Sequence, residues 1–487
     1  MSDPISPAHA RMRHRPLAAC LAAVLCVSAP VSALAATTWT VDTCDEASVG
    51  SGTTGSLRYA AANAVSGDTI DMTALTCGTI TLSSGAVGFA QTDITVKGPG
   101  KDALTINGSD DRVLTHSGSG TFAVNDLTVR DGYLHPPFGT QAYGGCIESR
   151  GNVYLNHVGV HSCRAVAHGA EGAGGGVYGR DLVLAKYSEI SGNAVSATNG
   201  GIGLGGGIAS HKDVVIASST ISGNHSIGTG GGINVRRGNL IVVGSTISGN
   251  TALHAGGIYQ VDFDFSNASN ALSFTLHNST VSGNSANGHT GGVWTNAGTI
   301  EVKNSTVAFN TAGYADTNYG IFSPGFAVSD TGVDFSDPAN PKVKVITLQS
   351  SVFSNNAYGT PATIANDFDT VHFAQGLPPG ANSTPISGQN NLVFATQLSG
   401  LQNTMTTGAC PGLGPLRDNG GPTQTHALAW GSPAIDQGNN TVPFAFDQRG
   451  APFARVSGAA ADIGAYEVQQ ADIVFVNGFD GPPTCPG

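Results

Sequence analysis

The chain has 487 residues, of which 68 are glycine and only 11% are charged, which is poor material for exposed helices. It holds 33 acidic against 21 basic residues, a net charge of −12. An acidic balance of that size argues against nucleic acid or an anionic polysaccharide as a simple electrostatic partner.

Residues 1–35 read as a signal peptide. Arg11, Arg13 and Arg15 precede an apolar run from Leu17 to Ala29, and Ala33-Leu34-Ala35 offers a small-x-small cleavage site. Leu17-Ala-Ala-Cys20 has the look of a lipoprotein signal, but the apolar segment follows that cysteine instead of preceding it, so a lipid anchor is rejected. After cleavage no stretch is apolar and long enough to span a bilayer as a helix. Export puts Cys44, Cys77, Cys146, Cys163, Cys410 and Cys485 in oxidising surroundings. Proximity suggests Cys44–Cys77, Cys146–Cys163 and Cys410–Cys485, one of about 15 pairings that six cysteines allow.

Residues 36–135 form a cap and the first coils. Helical periodicity occurs convincingly once, from Ser56 to Val65, where Leu57, Ala60, Ala61 and Ala64 share a face and Ser56 serves as N-cap. Strand-like runs follow at 78–82, 93–97, 104–107 and 126–130. A single amphipathic helix ahead of stacked strands suits a lid on the end of an apolar core.

Residues 136–410 carry the repeats. Ser188-Glu-Ile-Ser-Gly-Asn193 recurs as Ser219-Thr-Ile-Ser-Gly-Asn224, Ser245-Thr-Ile-Ser-Gly-Asn250, Ser279-Thr-Val-Ser-Gly-Asn284, Ser305-Thr-Val-Ala-Phe-Asn310 and Ser351-Val-Phe-Ser-Asn-Asn356. A glycine phrase precedes most copies: Gly174-Gly-Gly-Val177, Gly205-Gly-Gly-Ile208, Gly230-Gly-Gly-Ile233, Gly256-Gly-Ile258 and Gly291-Gly-Val293. Self-similarity at this spacing means a solenoid, since one such unit cannot bury its apolar face alone. Ser-Thr-Ile has the two-residue period of a half-buried strand, so Ile190, Ile221, Ile247, Val281, Val307 and Phe353 are expected to stack inward. The recurring Asn should form a ladder of side-chain amides about 4.8 Å apart. In the degenerate copy Val158-Gly-Val-His-Ser-Cys163, the cysteine takes the Asn position. Phe309 replaces the turn Gly, so a left-handed backbone angle is not expected there in every coil.

The residue after each inward Val or Ile of the glycine phrases should point outward. Tyr178, Tyr259, Trp294 and, in the weaker copy Tyr319-Gly-Ile-Phe322, Phe322 are therefore candidate ligand-binding residues. They would make an exposed aromatic column suited to stacking on sugars, unless the rings merely stack on one another.

The glycine phrase alternating with apolar-x-x-Asn resembles the paired repeats of polymorphic outer-membrane proteins; the literal form F-x-x-N stands at Phe353-Ser-Asn-Asn356. Those proteins are bacterial surface adhesins with a right-handed parallel β-helix. The segment 411–470 is similar to the choice-of-anchor Q domain of secreted bacterial β-helix proteins. The residues that carry this are Gly414-Pro-Leu-Arg-Asp-Asn-Gly-Gly-Pro-Thr-Gln-Thr-His-Ala-Leu428, Ser432-Pro-Ala-Ile-Asp-Gln-Gly438, Asp447-Gln-Arg-Gly450 and Asp462-Ile-Gly-Ala-Tyr-Glu467. A tail, 471–487, follows. Polymorphic adhesins are autotransporters with a C-terminal membrane barrel, and no such segment follows here, so a separate export or anchoring partner is expected.

Catalytic candidates are sparse. Asp110-Asp111, Gly288-His-Thr290 and Arg236-Arg237 are the nearest approaches to a polysaccharide hydrolase signature, on distant coils. Asp262 and Asp264, with Lys303 one coil later, are weak candidates for a Ca²⁺ site of a lyase. Asp418, Asp436, Asp447, Asp462 and Glu467 could also ligate Ca²⁺, or could bond turn amides, the commoner use of Asp beside Gly and Pro. His426 is expected at the surface or in a capping role.

These readings converge on an all-β protein, a right-handed single-stranded parallel β-helix with an N-terminal helical cap and a C-terminal β cap. The expected role is that of a secreted or cell-surface adhesin or matrix protein without catalytic activity and without a required cofactor. Its partner would be a polysaccharide or a host or neighbouring cell surface. An extracellular polysaccharide lyase or glycoside hydrolase of the pectate-lyase-like β-helix type is the competing expectation.

Overall fold

The computed structural model describes residues 36–261, 272–313, 323–330, 344–359, 362, 364–372, 386–396 and 409–469. The expected signal peptide, Asp262, Asp264, Phe322, Cys485 and the tail lie outside the described residues.

The described strands fall into three long sheets and one two-stranded hairpin. One coil shows the pattern. Val177–Gly179 lies in sheet 2, Leu182–Lys186 and Glu189–Ser191 in sheet 1, and Ala194–Thr198 and Ile202–Leu204 in sheet 3. The chain then re-enters sheet 2 at Ile208–Ser210, parallel to Val177–Gly179. Parallel crossovers in chains of L-residues are right-handed, and the fold is the expected right-handed parallel β-helix.

Register follows the repeat phrase. Ile190 opposes Ile221, and the row continues through Ile247, Val281, Val307 and Phe353. All six are fully buried in a core that runs continuously from Val41 to Val393.

Each coil turns through left-handed corners. The position before the ladder Asn has φ of 65° at Gly192, 62° at Gly223 and Gly249, 64° at Gly283 and 60° at Asn355. Phe309 adopts φ 57° as well, so the expectation that this copy escapes the left-handed angle is corrected. Coil closure imposes the angle whatever the side chain, at a cost of about 1–2 kcal/mol for a residue with a Cβ.

The Asn ladder forms as expected. Asn193 Nδ2 donates to Asn224 Oδ1, Asn224 to Asn250, Asn250 to Asn284 and Asn284 to Asn310, each at 2.9 Å, and Asn310 to Asn356 at 2.8 Å. Each backbone N–H donates to the same oxygen as its own side chain, as Asn224 N does to Asn250 Oδ1 at 2.9 Å. A second ladder was not foreseen. The backbone N–H of Ser188, Ser219, Ser245, Ser279 and Ser305 each donates to the Oγ of the next serine, ending at Ser351.

The N-terminal helix α1, Leu57–Asn63, is capped by Ser56, whose Oγ accepts from Tyr59 N at 3.2 Å. Leu57, Ala60, Ala61 and Ala64 are buried in the main core, as their spacing requires. Gln91 Nε2 donates to the carbonyls of Ala61 and Ala64, satisfying acceptors that a helix end leaves open. Disulfides join Cys44 to Cys77 and Cys146 to Cys163. Cys410 is also disulfide-bonded.

The C-terminal element caps the flank of the solenoid. Its hairpin pairs Leu413–Arg417 with Thr425–Leu428, and the segment lies along the outward threonines of sheet 1. Thr246 Oγ1 donates to Gln424 O at 2.6 Å, Thr280 Oγ1 to Gln448 Oε1 at 2.6 Å, and Ala465 N to Thr306 Oγ1 at 3.1 Å. Ala434 and Ile463 pack on Val352 and Leu392.

Candidate binding face

The outward side of sheet 2 is where the sequence pointed. Its column reads Glu148, Tyr178, Ala209, Asn234, Tyr259, Trp294 and Ala327 on successive coils. The expected column therefore exists, but it is not exposed: Tyr178, Tyr259 and Trp294 are 5%, 3% and 9% accessible. The coil does not run straight from its Asn corner into the glycine phrase. It first passes through an arm of sheet 3 that folds over this face. Tyr143 stacks on Tyr178 with centroids 4.4 Å apart, alongside Ala173 and Leu204. His254 and His289 stack at 5.1 Å, and both present their rings edgewise to Trp294. Trp294 Nε1 donates to Ser329 Oγ at 3.1 Å. Burial pushes the Tyr178 hydroxyl up to about 12, helped by Glu171, and pushes His254 down to about 4, so neither changes charge near neutrality.

Sequence reasoning missed a polar clamp at the border of this face. Arg236 Nη1 reaches two coils back to both carboxylate oxygens of Glu171, at 2.8 and 3.1 Å. Tyr143 Oη donates to Glu171 Oε1 at 2.9 Å. Nearby, Glu148 accepts from Thr115 Oγ1 at 2.7 Å and pairs with Arg112 at 3.4 Å. A signal for the clamp was present: Arg150, Arg180, His211 and Arg236 occupy the same position of four successive glycine phrases.

The other sequence candidates lie elsewhere. Lys303 pairs with Glu301 at 3.2 Å. The close approach of His277 Nε2 at 3.3 Å, with Lys303 beside it, holds the Glu301 carboxyl down near 2. The doublet Asp110-Asp111 precedes the sheet 2 strand Leu114–His116 and Arg236-Arg237 follows the strand Ile233–Val235, four rungs on. In the C-terminal segment the five acidic side chains are turned onto N–H donors. Asp418 accepts from Gly420 N, Asp436 from Ala460 N, and Asp462 from Asp436 N and Val468 N. Glu467 accepts from Ser457 N and Asp462 N, and Asp447 pairs with the buried Arg449 at 2.7 Å. The Arg449 guanidinium lies 3.9 Å from the ring centroids of both Phe453 and Tyr466. Burial pushes Glu467 up to about 7, with Asp462 adding to the effect.

His426, expected at the surface or in a capping role, is 3% accessible, so it is not a surface residue. The hairpin lays it against the solenoid, where Nε2 meets Ser282 Oγ at 2.7 Å and Nδ1 meets Gly414 O at 2.7 Å. A carbonyl requires a donor, so Nδ1 carries the proton and Nε2 accepts from Ser282. Its ring lies 5.0 Å from Phe309, beside an open, mainly apolar groove of about 390 Å³ lined also by Leu416 and Pro415.

No protein-family model matches the chain, and no curated protein matches it in sequence. Among solved structures, the crystal structure of pectate lyase Pel9A is similar with a TM-score of 0.42 and 11% identity. The match covers 89% of this chain and 97% of that one. Likeness at this level carries no argument about activity.

Proposed function

We propose that the chain is an exported β-helix protein that acts as a non-catalytic adhesin or matrix component. It presents repeated side chains to a polysaccharide or to a host or neighbouring cell surface. The observation that carries this reading is a set of apolar side chains exposed on three successive coils of sheet 3. Ile202, Ile227 and Leu253 are 50%, 46% and 42% accessible, and Phe138, on an earlier coil, is 73% accessible. Rungs about 4.8 Å apart repeat one weak contact along an extended partner, which is how a solenoid gains avidity from shallow sites. The Cys44–Cys77 and Cys146–Cys163 disulfides suit an oxidising compartment. The resemblance of the paired phrases to polymorphic adhesins, and of segment 411–470 to the choice-of-anchor Q domain, supports the same reading.

The purified chain, tested on a panel of polysaccharides and cell-wall preparations with Ca²⁺ and with chelator, reads both retention and chain cleavage. Retention without cleavage is the expected result. Cleavage of any polymer would sink this reading and favour the lyase or hydrolase alternative.

A further inference from the structure

The corner where sheet 2 passes into sheet 1 carries a second, different surface. Ser149, Gly179, Ser210 and Val235 share one rung position on four successive coils. The residues that follow them are Arg150, Arg180, His211 and Arg236. Backbone bonds continue the register, with Arg180 N donating to Ser149 O and Arg236 N to Ser210 O. One position further, Arg237 N donates to His211 O, which sets Arg237 on the rung beside Lys212. An acidic chain has thus gathered basic side chains in a double column at one corner.

The carboxylates facing this corner are Glu148, which pairs with Arg112 at 3.4 Å, and Glu171, Asp181 and Asp213. Glu171 holds Arg236, Asp181 pairs with Lys212 at 2.6 Å, and Asp213 accepts from Asn239. Arg150 and Arg180 are exposed, and among the described residues no carboxylate pairs with them. Between Arg180 and Arg236, burial and then Arg236 depress the proton affinity of His211. The arginines therefore carry the charge of the column near neutral pH.

We infer that this corner binds a linear anionic polysaccharide, one bearing carboxylate or sulfate groups at intervals along the chain. The guanidinium fork matches the planar geometry of carboxylate and the oxygen pairs of sulfate. Arg150 and Arg180 lie on adjacent rungs about 4.8 Å apart, a step close to the length of one sugar residue, and Arg236, engaged by Glu171, lies two rungs on. Single-stranded nucleic acid is the less suitable polyanion, because it binds through exposed aromatic platforms and the tyrosine at this corner, Tyr178, is buried under Tyr143. The net charge of −12 hides the column, since an average over the molecule says nothing about one edge. This inference goes beyond the adhesin reading and does not depend on it.

The test compares the full chain with its Arg150→Glu, Arg180→Glu double variant. Both arginines are exposed, and the fold of the variant is checked by circular dichroism. The probes are polygalacturonate, dextran sulfate, uncharged dextran and single-stranded DNA at low and physiological salt. The expected result is retention of polygalacturonate or dextran sulfate, whichever group the site prefers, and no retention of dextran. Binding should weaken with salt and fall at least about tenfold in the double variant, the loss of two charge-assisted contacts. Equal retention by the variant, equal retention of dextran, or tighter binding of DNA would overturn the inference. If the bound polymer were also cut, the adhesin reading would fall while the ligand class of this corner stood.

Discussion

Asn284→Ala is the sharpest test of what holds the coils together. Asn284 is fully buried at the middle of the amide ladder. Its Oδ1 accepts from Asn250 N at 3.0 Å and from Asn250 Nδ2 at 2.9 Å, while its Nδ2 donates to Asn310 Oδ1 at 2.9 Å and to Ile247 O at 3.0 Å. Truncation removes all four bonds, but the partners do not suffer equally. Asn250 Nδ2 keeps Ile221 O, and Asn310 Oδ1 keeps the Asn284 backbone N–H. Asn250 N–H loses its acceptor in a place water does not reach, which costs about 1–3 kcal/mol. The other bonds contribute about 0.5–1.5 kcal/mol each and are only partly replaced. The expected destabilisation is therefore about 3–5 kcal/mol. Solenoids lose cooperativity when one interface weakens, so denaturant titration should be joined to hydrogen exchange. The Asn250 amide should lose protection while amides near Val124 and Val153 keep theirs. A loss under about 1 kcal/mol with the Asn250 amide still protected would show that strand pairing alone sets coil stability.

Three further outcomes follow from buried groups. Burial raises the Asp367 carboxyl to about 6; for an acid raised above its ordinary value, the stabilisation is complete below about 4 and is lost as pH rises through about 6, at a cost of about 3 kcal/mol. The stability of the native chain relative to the Asp367→Asn variant should fall by that order from pH 4 to 7, a difference in which the opposing titration of His426 cancels; identical profiles in the two chains would refute the assignment. Burial lowers His426 to about 4; for a base depressed in this way, stabilisation is present above about 6.5 and is lost as pH falls through about 4, again by about 3 kcal/mol. Acidification should therefore speed proteolytic cleavage within 409–469 before the coils unfold, and His426→Gln should remove that acid sensitivity. Thr280→Val strands Gln448 Oε1, which no longer receives the 2.6 Å bond, and should loosen the flank segment by about 1–3 kcal/mol while the coil core melts as before.

The coil core was legible because its signal is local. Ser-Thr-Ile-Ser-Gly-Asn holds a two-residue period, a corner and a ladder residue within six positions, and each copy meets only its neighbours. The serine of the same phrase was equally visible, yet a buried serine accepting from the backbone of the preceding coil is not distinguishable by pattern from a strand residue facing water. The path of 411–469 was not legible, because Gln448 bonds to Thr246 at a separation of 202 residues and nothing in either phrase encodes the other. The burial of Tyr178 and Trp294 escaped for a related reason. Alternation tells which way a side chain points, and it does not reveal that an arm of sheet 3 returns over that face. The basic corner, by contrast, stood in the glycine phrases three residues after each inward Ile or Val. Averaging charge over the whole chain obscured it.

The two ladders share a polarity, and the polarity explains how the stack ends. In both, the backbone N–H of one coil donates toward the next coil in sequence, so the last rung needs a side-chain oxygen that accepts from the coil before it. The serine ladder closes on Asn391, whose Oδ1 accepts from Ser351 N at 3.1 Å while Nδ2 turns aside to Leu348 O. The amide ladder closes on Asp367. Its Oδ1 accepts from both Asn356 N and Asn356 Nδ2, at 2.9 and 2.7 Å, and its Oδ2 from Ala395 N at 2.7 Å. An asparagine there would aim N–H at N–H on one side. A carboxylate accepts on both, and its three donors offset part of the cost of burying it. At the other end the ladder starts at Cys163, whose N–H donates to Asn193 Oδ1 at 2.9 Å and whose side chain is tied to Cys146. A residue that needs no amide partner below and one that needs no acceptor above thus mark the first and last rungs, so the length of the ladder is written in the residues that cannot extend it.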